Sequence, residues 1–519
     1  MELPPQFEEY TRRLLGDTLY SRLDAGLRSD TAPVSIRLNA FAKCHGFTVS
    51  AETDDGPVPW CHDTGRWLKE RPDFTFDPLF HAGLYYVQEA ASMFVCHVAR
   101  HFISRPSMVL DLCAAPGGKS TALRGALPKG SLLFANEAVR QRAQVLSENM
   151  AKYGHEDVVV TNNMPEDYGK SGLLFDAIFA DVPCSGEGMF RKDHDARAEW
   201  SVENVEKCHR LQRNIIADVW DCLRPGGLLV YSTCTFNALE DEDNVAWIAS
   251  ELGADVLSLP VDEAWHITGA VSGSLPAYRF LPGVSRSEGL FLAVLRKHGG
   301  LDSEDTTAGT CNMNCTDTNG GGDDISWLSD NRNRPSDSRH KSRGDRRGGS
   351  GDRRNGSGDR RGGKGNRQDA TAAVKVPLTD ASAYTVARQG DAILAVPSRW
   401  ADIYSRANEG LRVMRAGIHI YNVKGKDLVP DTSLALSLSL DRNAFAESEL
   451  DYDRAVAFLR REAVTLPQSC PKGYVTVTYM GVPLGFVKNI GSRANNLYPQ
   501  EWRIRSTHLP AKPEVLQKD

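Results

Sequence analysis

Five short apolar runs recur along the middle of the chain: MVLDLCA from Met108, SLLFANE from Ser131, DVVVTNN from Asp157, FDAIFAD from Phe175 and LLVYSTC from Leu228. Helix-compatible or loop segments separate them. Such a rhythm predicts an α/β domain with a mostly parallel sheet, helices on its faces, and functional groups at the C-terminal ends of the strands. Two further runs, ADVLSLP from Ala254 and GLFLAVLRK from Gly289, are expected to complete the sheet. Upstream, YYVQEAASMFVCHVARHF carries Val87, Ala91, Val95 and Val98 at helical spacing and predicts a helix from about Leu84. Before it lies a small mixed region. It comprises an amphipathic helix with Phe7, Leu14 and Leu15 on one side, then short strands in VSIRLN and GFTVSAE. Order resumes near Val374, and YVTVTYMGVPLGFVKN alternates and turns at Gly481 as a hairpin should, before a loop from Asn489 to Ser506.

A stretch near 299–370 breaks the pattern, with few large apolar residues and three units, GDRRGGS, GDRRNGS and GDRRGGK, from Gly344, Gly351 and Gly358. Lacking apolar positions, it is expected to be a disordered basic linker, either a spacer or a non-specific contact to nucleic acid. It also changes the reading of the net charge of −6. Arg332–Gln368 holds 13 Lys and Arg against 4 Asp, a net +9, and leaves −15 on the rest. Regions 1–83, 84–298, 299–373 and 374–519 are the expected divisions.

The hydrophobic share of 41% is that of an ordinary soluble protein, and no run approaches the length of a membrane span. The 11 cysteines are scattered, which fits reduced thiols and a cytoplasmic setting; Cys311 and Cys315, the close pair, lack further ligands, so no metal is expected. Downstream, Arg493, Arg503 and Arg505 interleave with Tyr498 and Trp502, letters that suit RNA or a solvated surface with structural rings.

Chemistry gathers at three strand ends. VLDLCAAPGGKST runs from a strand through Asp111 into a helix near Lys119, and small residues at Ala114, Ala115, Gly117 and Gly118 leave room for a ligand against backbone. A triphosphate-binding loop would need glycine where Cys113 stands, so that class is disfavoured. Glu137 follows Gly118 by 19 residues, near the spacing at which an acid bonds ribose hydroxyls. With no GxGxxG motif, the nucleoside cofactor expected is S-adenosylmethionine rather than a dinucleotide. FDAIFADVPCSGEG presents Asp181 and Cys184 at a strand's end. Read alone, Cys184 is either a nucleophile or a small buried hydrophobe.

DLCAAPGGKS, ANE, DVPCSGEGMFRKD and YSTCTF, in this order and spacing, resemble the RNA (cytosine-5)-methyltransferase family. The likeness extends to SIRLN, GLYYVQEAASM and RFLPGVSRSEGLFLAVLRK. It also takes in GFVKNIGSRANNLYPQEWRI, which is similar to the bacterial small-subunit ribosomal RNA branch with a C-terminal PUA-like RNA-binding domain. The resemblance implies a class I, Rossmann-like methyltransferase domain between an N-terminal α+β region and a mixed α/β PUA-like domain. It implies that Cys234 attacks C6 of cytosine, that Cys184 assists product release, and that Asp181 contacts cofactor and base. S-adenosylmethionine would be held by Cys113, Ala114, Ala115, Pro116, Gly117, Gly118, Lys119, Glu137, Asn163 and Asp181. Asn237 and Glu240 form a capping-box pattern expected to start a helix beside Cys234. Four positions depart from the family: Asn163 stands where Asp is common, Val182 for Ala, Ala90 for Pro and Gly283 for His. The expected partner is ribosomal RNA, with transfer RNA the competing substrate. A silent RNA-binding assembly factor would be expected to lack a thiol, Asp181 or the glycine turn, and all are present.

Overall fold

The computed structural model describes residues 2–299, 374–506 and 512–519. The Arg/Gly repeats and the Cys311–Cys315 pair lie outside the described residues.

A helix, Pro5–Arg28, opens the chain and bends at Gly16, whose φ of 71° interrupts the helical backbone. It buries Phe7, Leu23 and Leu27, and the Phe7 ring meets Phe190 and Trp200 edge-on at 5.0 and 5.7 Å. There follow β1 (Val34–Leu38), β2 (Phe47–Val49), β3 (Asp54–Pro57), β4 (Gly65–Leu68) and β5 (Tyr85–Val87). β1 is central, with β4 and β5 antiparallel on its two sides. The continuous helix expected over 85–102 is therefore corrected. Tyr85–Val87 fills the free edge of β1, with Ile36 opposite Val87, and the helix itself is Phe94–Phe102. Val87 shares the helical spacing only by coincidence, since it packs half-buried from a strand.

The middle of the chain supplies β6 (Met108–Asp111), β7 (Leu132–Asn136), β8 (Val158–Thr161), β9 (Phe175–Asp181), β10 (Leu223–Thr233), β11 (Ala254–Leu257), β12 (Tyr278–Phe280) and β13 (Leu290–Lys297). The C-terminal part supplies β14 (Tyr384–Gln389), β15 (Ala392–Pro397), β16 (Val413–Ala416), β17 (Ile418–Lys424), β18 (Asp427–Pro430), β19 (Ala446–Glu449), β20 (Gly473–Tyr479), β21 (Val482–Asn489), β22 (Ala494–Asn496) and β23 (Leu516–Lys518). The large sheet runs β11-β13-β10-β9-β6-β7-β8-β16, with β12 on β13. From β10 to β8 all neighbours are parallel; β13 and β16 join antiparallel at the two ends. This is the Rossmann-like arrangement expected. The chain order reverses between β6 and β9, which opens a crevice at their C-terminal ends.

Side chains alternate between the faces at period two. Val109, Leu133, Val160, Ala177 and Val230 enter one core, and Leu110, Phe134, Val159, Ile178 and Leu229 the other. Two smaller sheets, β14-β15-β17-β18 and β19-β20-β21-β22, form the C-terminal part, and β23 returns to pair with β2. The β20–β21 hairpin turns through Met480 and Gly481, both at positive φ (51° and 80°), the two-residue turn that matches strand twist.

The segment after Asn489 is not all loop, because Ala494–Asn496 pairs with β21. Of the two readings of Tyr498, the structural ring is the one the fold adopts. Its ring is buried against Phe458 (5.3 Å) and Trp502 (6.1 Å), so it is core rather than a platform for a base. Arg493, Arg503 and Arg505 are exposed. No helix among the described residues is long and apolar enough to cross a membrane.

Gly283 explains its own departure from the family pattern. It has φ of 78°, and a Cβ there would lie 2.1 Å from the carbonyl oxygen of Arg22 in the first helix. A Cβ on Gly26 would likewise lie 2.3 Å from the carbonyl carbon of Pro282. Two glycines let the helix press directly on this loop, and a histidine has no space.

Candidate active site

The switch between β6 and β9 brings the predicted residues together. β6 ends in Asp111, and the turn Leu112–Gly117 leads into the helix Gly118–Ala126. Gly117 caps that helix in the left-handed region, at φ 112°, after a cis peptide between Ala115 and Pro116. The turn is tied from outside: Ala114 N–H donates to Asn136 O (2.8 Å), Arg142 to Ala115 O (3.1 Å) and Asn149 to Pro116 O (2.7 Å). Asn136, not singled out by sequence, is the hub. Its amide donates to Leu112 O and Asn163 O, both at 3.0 Å, and its carbonyl accepts from Asn163 N (3.1 Å) and the Thr161 hydroxyl (2.9 Å).

Asp111 is buried and accepts from the Ser120 hydroxyl at 2.7 Å. Burial, outweighing that bond, pushes its carboxyl up to about 7. Burial pushes the Cys113 thiol up as well, helped by the charges of Asp111, Asp181 and Glu137, so it lines the turn as a neutral group. Glu137 orders the start of the next segment by accepting Val139 N–H at 2.9 Å, and Arg142 lies 3.5 Å from its other oxygen. Beyond β8, Asn163 is buried with both ends of its amide engaged: Oδ1 accepts from Arg412 N (2.9 Å), and Nδ2 donates to Asp167 (3.1 Å).

Asp181 closes the crevice on the β9 side. Its Oδ2 pairs with Lys119 at 2.9 Å, and its Oδ1 accepts from Ser232, its register partner on β10, at 2.8 Å. Burial lowers the Lys119 pKa, but Asp181 and Cys234 outweigh it and hold the ammonium above its ordinary value.

The two thiols lie at the ends of adjacent parallel strands, Cys184 after β9 and Cys234 after β10, with sulfurs 3.2 Å apart. The hydrogen bond with Cys234, then burial and nearby acids, push the Cys184 thiol well above its ordinary value. Cys184 is thus kept as a neutral thiol against the Cys234 sulfur. The helix start expected at Asn237 moves to Glu242, because Asn237 and Glu240 exchange two 2.9 Å hydrogen bonds that close a turn instead.

Behind Cys234 lies a buried charge cluster that pattern could not reveal. Asp241 accepts from the hydroxyls of Thr233 (2.6 Å) and Thr235 (3.0 Å), on either side of the cysteine. Fully buried Arg279 pairs with Asp241 at 3.0 Å and with Glu242, and donates to Phe236 O at 3.1 Å. Arg37 is the equivalent beside the helix Gly118–Ala126, buried and bonded to Gln88 (2.8 Å) and Thr121 (2.6 Å). Their signal in sequence is only an isolated arginine in an apolar strand.

The residues present fit a nucleoside cofactor. The turn is small and backbone-lined, an acid stands at its ribose side, and two large apolar side chains, Val139 and Met164, are 51% and 56% exposed after β7 and β8. Apolar groups left open at the C-terminal edge of a sheet are what a planar base would cover.

The described 16S rRNA methyltransferase RsmB/F family matches residues 104–296, the N-terminal domain of 16S rRNA methyltransferase RsmF matches 3–90, and the methyltransferase RsmF PUA domain matches 445–504. The ribosomal RNA small subunit methyltransferase F of Klebsiella pneumoniae (strain 342) is 30% identical over 86% of this chain and 84% of its own. That of Enterobacter sp. (strain 638) is 30% identical over 86% and 83%. A solved methyltransferase homolog protein from Pyrococcus horikoshii aligns at 24% identity and a TM-score of 0.45, over 57% of this chain and all of that one (100%). The 30% identity to the Klebsiella protein across 86% of this chain and 84% of that one, with matches to all three parts, means that the chain belongs to the ribosomal RNA small subunit methyltransferase F family.

Proposed function

We propose that the protein methylates C5 of a cytosine in small-subunit ribosomal RNA, with Cys234 as nucleophile and Cys184 as the thiol that assists release. The observation that carries this reading is the pair of sulfurs 3.2 Å apart beside Asp181. C5 of cytosine is a poor nucleophile. Addition of the Cys234 sulfur to C6 moves electrons toward C5 and makes it carbanion-like. S-adenosylmethionine, when bound, supplies an electrophilic methyl group on a sulfonium. Residues 113–119, Glu137, Asn163 and Asp181 would hold it, with Val139 and Met164 flanking the base. Asp181, fixed by Lys119 and Ser232, is assigned to contact the cytosine as well. The C5 proton then leaves to a base, the C6–sulfur bond breaks with its electrons returning to Cys234, and Cys184 assists that step. The exposed arginines 493, 503 and 505 give the C-terminal part a sequence-independent grip on phosphate. Nine described cysteines are free thiols, in keeping with a reducing cytoplasm.

The test uses RNA carrying 5-fluorocytidine, whose C5 cannot lose a proton, so the adduct persists. The protein is expected to form a covalent complex, Cys234→Ala none, and Cys184→Ala a persistent one even on ordinary RNA. Full methylation by Cys234→Ala would overturn the mechanism. Mapping 5-methylcytosine with and without the protein should lose a position in small-subunit rRNA; loss in transfer RNA instead would overturn the target.

A further inference from the structure

Two acids lie between the cysteine loops, and neither is used by the chemistry above. Glu187 and Glu240 are both 0% exposed. Glu187 belongs to the loop of Cys184. Its Oε2 accepts the N–H of Phe236 at 2.6 Å, and its Oε1 accepts from Asn237 (2.9 Å) and from the Trp200 indole (3.1 Å). Phe236 and Asn237 stand two and three residues after Cys234. The next residue, Gly188, donates its N–H to the Cys234 carbonyl at 2.7 Å, and a Cβ on Gly188 would lie 2.6 Å from that oxygen. Glu240 works in the opposite direction. From the Cys234 side it accepts the N–H of Ser185, the residue after Cys184, at 3.0 Å. The two loops are therefore cross-tied through carboxylates, each reaching the other's backbone.

We propose that Glu187 is a positioning residue for the methyl transfer, whose carboxylate clamps the turn after Cys234 against the Cys184 loop and so sets the approach of the two sulfurs. The inference rests on the reading that Cys234 attacks the base. A group that merely filled this space could be apolar, and burying a carboxylate without a cation among its hydrogen-bond partners is costly. What the carboxylate supplies is acceptor capacity: its described partners, a backbone N–H, an amide and an indole, are all donors. Burial and the charge of Glu240 raise its pKa to about 7. Around it also stand the Tyr10 phenol from the first helix and the Arg279 guanidinium from β12. A proton on Glu187 would face donors only and displace one of them, so the clamp is complete in the ionised form and loosens as the pH falls below about 7.

Glu187→Gln keeps the shape and turns one acceptor into a donor. At pH 8 it should lower kcat about tenfold or more while the KM for S-adenosylmethionine and for RNA stays within about twofold. The kcat ratio of the unaltered protein to the variant should shrink as the pH is lowered to 6, because the unaltered protein then loses its clamp too. Gly188→Ala pushes on the Cys234 carbonyl from the other side. It should also lower kcat at constant KM, with a ratio that does not shrink, and it carries the test if Glu187→Gln does not fold. An unchanged kcat in a folded variant, a change confined to KM or thermal stability, or a pH-independent ratio for Glu187→Gln overturns the proposal. In each of those cases an unaltered protein that still forms the 5-fluorocytidine adduct leaves the proposed function standing; no adduct at all removes that function, and the clamp with it.

Discussion

The backbone N–H of Arg412 donates to the side-chain oxygen of Asn163 at 2.9 Å, and the carbonyl of Arg412 accepts from Asn162 N at 3.0 Å. A residue more than two hundred positions downstream thereby fixes the side chain of a residue whose backbone Asn136 ties to the Leu112–Gly117 turn. The remaining end of Asn163 donates to Asp167. An aspartate at 163, common in the family, would place a second carboxylate against Asp167.

Asn163→Asp is therefore expected to weaken the protein rather than improve it. Like charges at this distance favour protonation or separation. Calorimetric titration should give a Kd for S-adenosylmethionine raised about three- to tenfold, the equivalent of about one lost hydrogen bond. Asn163→Asp combined with Asp167→Asn restores one donor and one acceptor and should recover most of it. A tighter single variant would show that the Asn163–Asp167 pair does not govern the site.

Asp111 predicts a pH dependence. Its carboxyl is raised to about 7 in the folded protein from an ordinary value of 3.8, so the folded state binds the proton more tightly than the unfolded one. The associated stability is fully present below about pH 4 and is lost as the pH rises through about 7. Asp111→Asn should remove that slope, up to about 1.4 kcal/mol per pH unit. Denaturant unfolding at pH 5.5, 7 and 8.5 gives the difference between the two proteins, and a constant difference would refute the assignment.

At Gly283 the expected effect is on stability alone. Gly283→His must tolerate a positive φ and a Cβ 2.1 Å from Arg22 O, so the first helix has to move. A loss of about 1–3 kcal/mol is expected, read as a lower unfolding midpoint. A milder result for Gly283→His than for Gly283→Ala would mean that the loop, not the helix contact, sets the constraint.

The parallel strands and both thiols were legible in the sequence because each strand is a dense apolar run that stops at a polar or small residue. Asp111, Asp181 and Cys234 mark three of those stops. What was not legible depends on partners distant in the chain. Val413–Ala416 is too short and too mixed to announce itself as a strand, and it becomes one because β8 has an open edge. Tyr85–Val87 reads as helix because its spacing happens to agree with Ala91, Val95 and Val98. Glu187, Glu240 and Asp241 look like surface acids, and only their enclosure by Trp200, Asn237 and Arg279 makes them structural. Tyr498 stays open between two readings in the sequence, since an aromatic among arginines suits RNA and a core equally well, and only its packing on Phe458 and Trp502 decides.

β16 belongs by sequence to the C-terminal part and by hydrogen bonding to the large sheet, while β23 returns to β2 near the start of the chain. Covalent continuity between Gly299 and Val374 is thus not what keeps the two parts in place. A polypeptide cut once within residues 300–373 would be a two-fragment protein held by ladder hydrogen bonds and a common core, able to reassemble from separately made pieces. How Arg412 meets Asn163 is therefore set by the β16–β8 ladder rather than by the chain that leads to it.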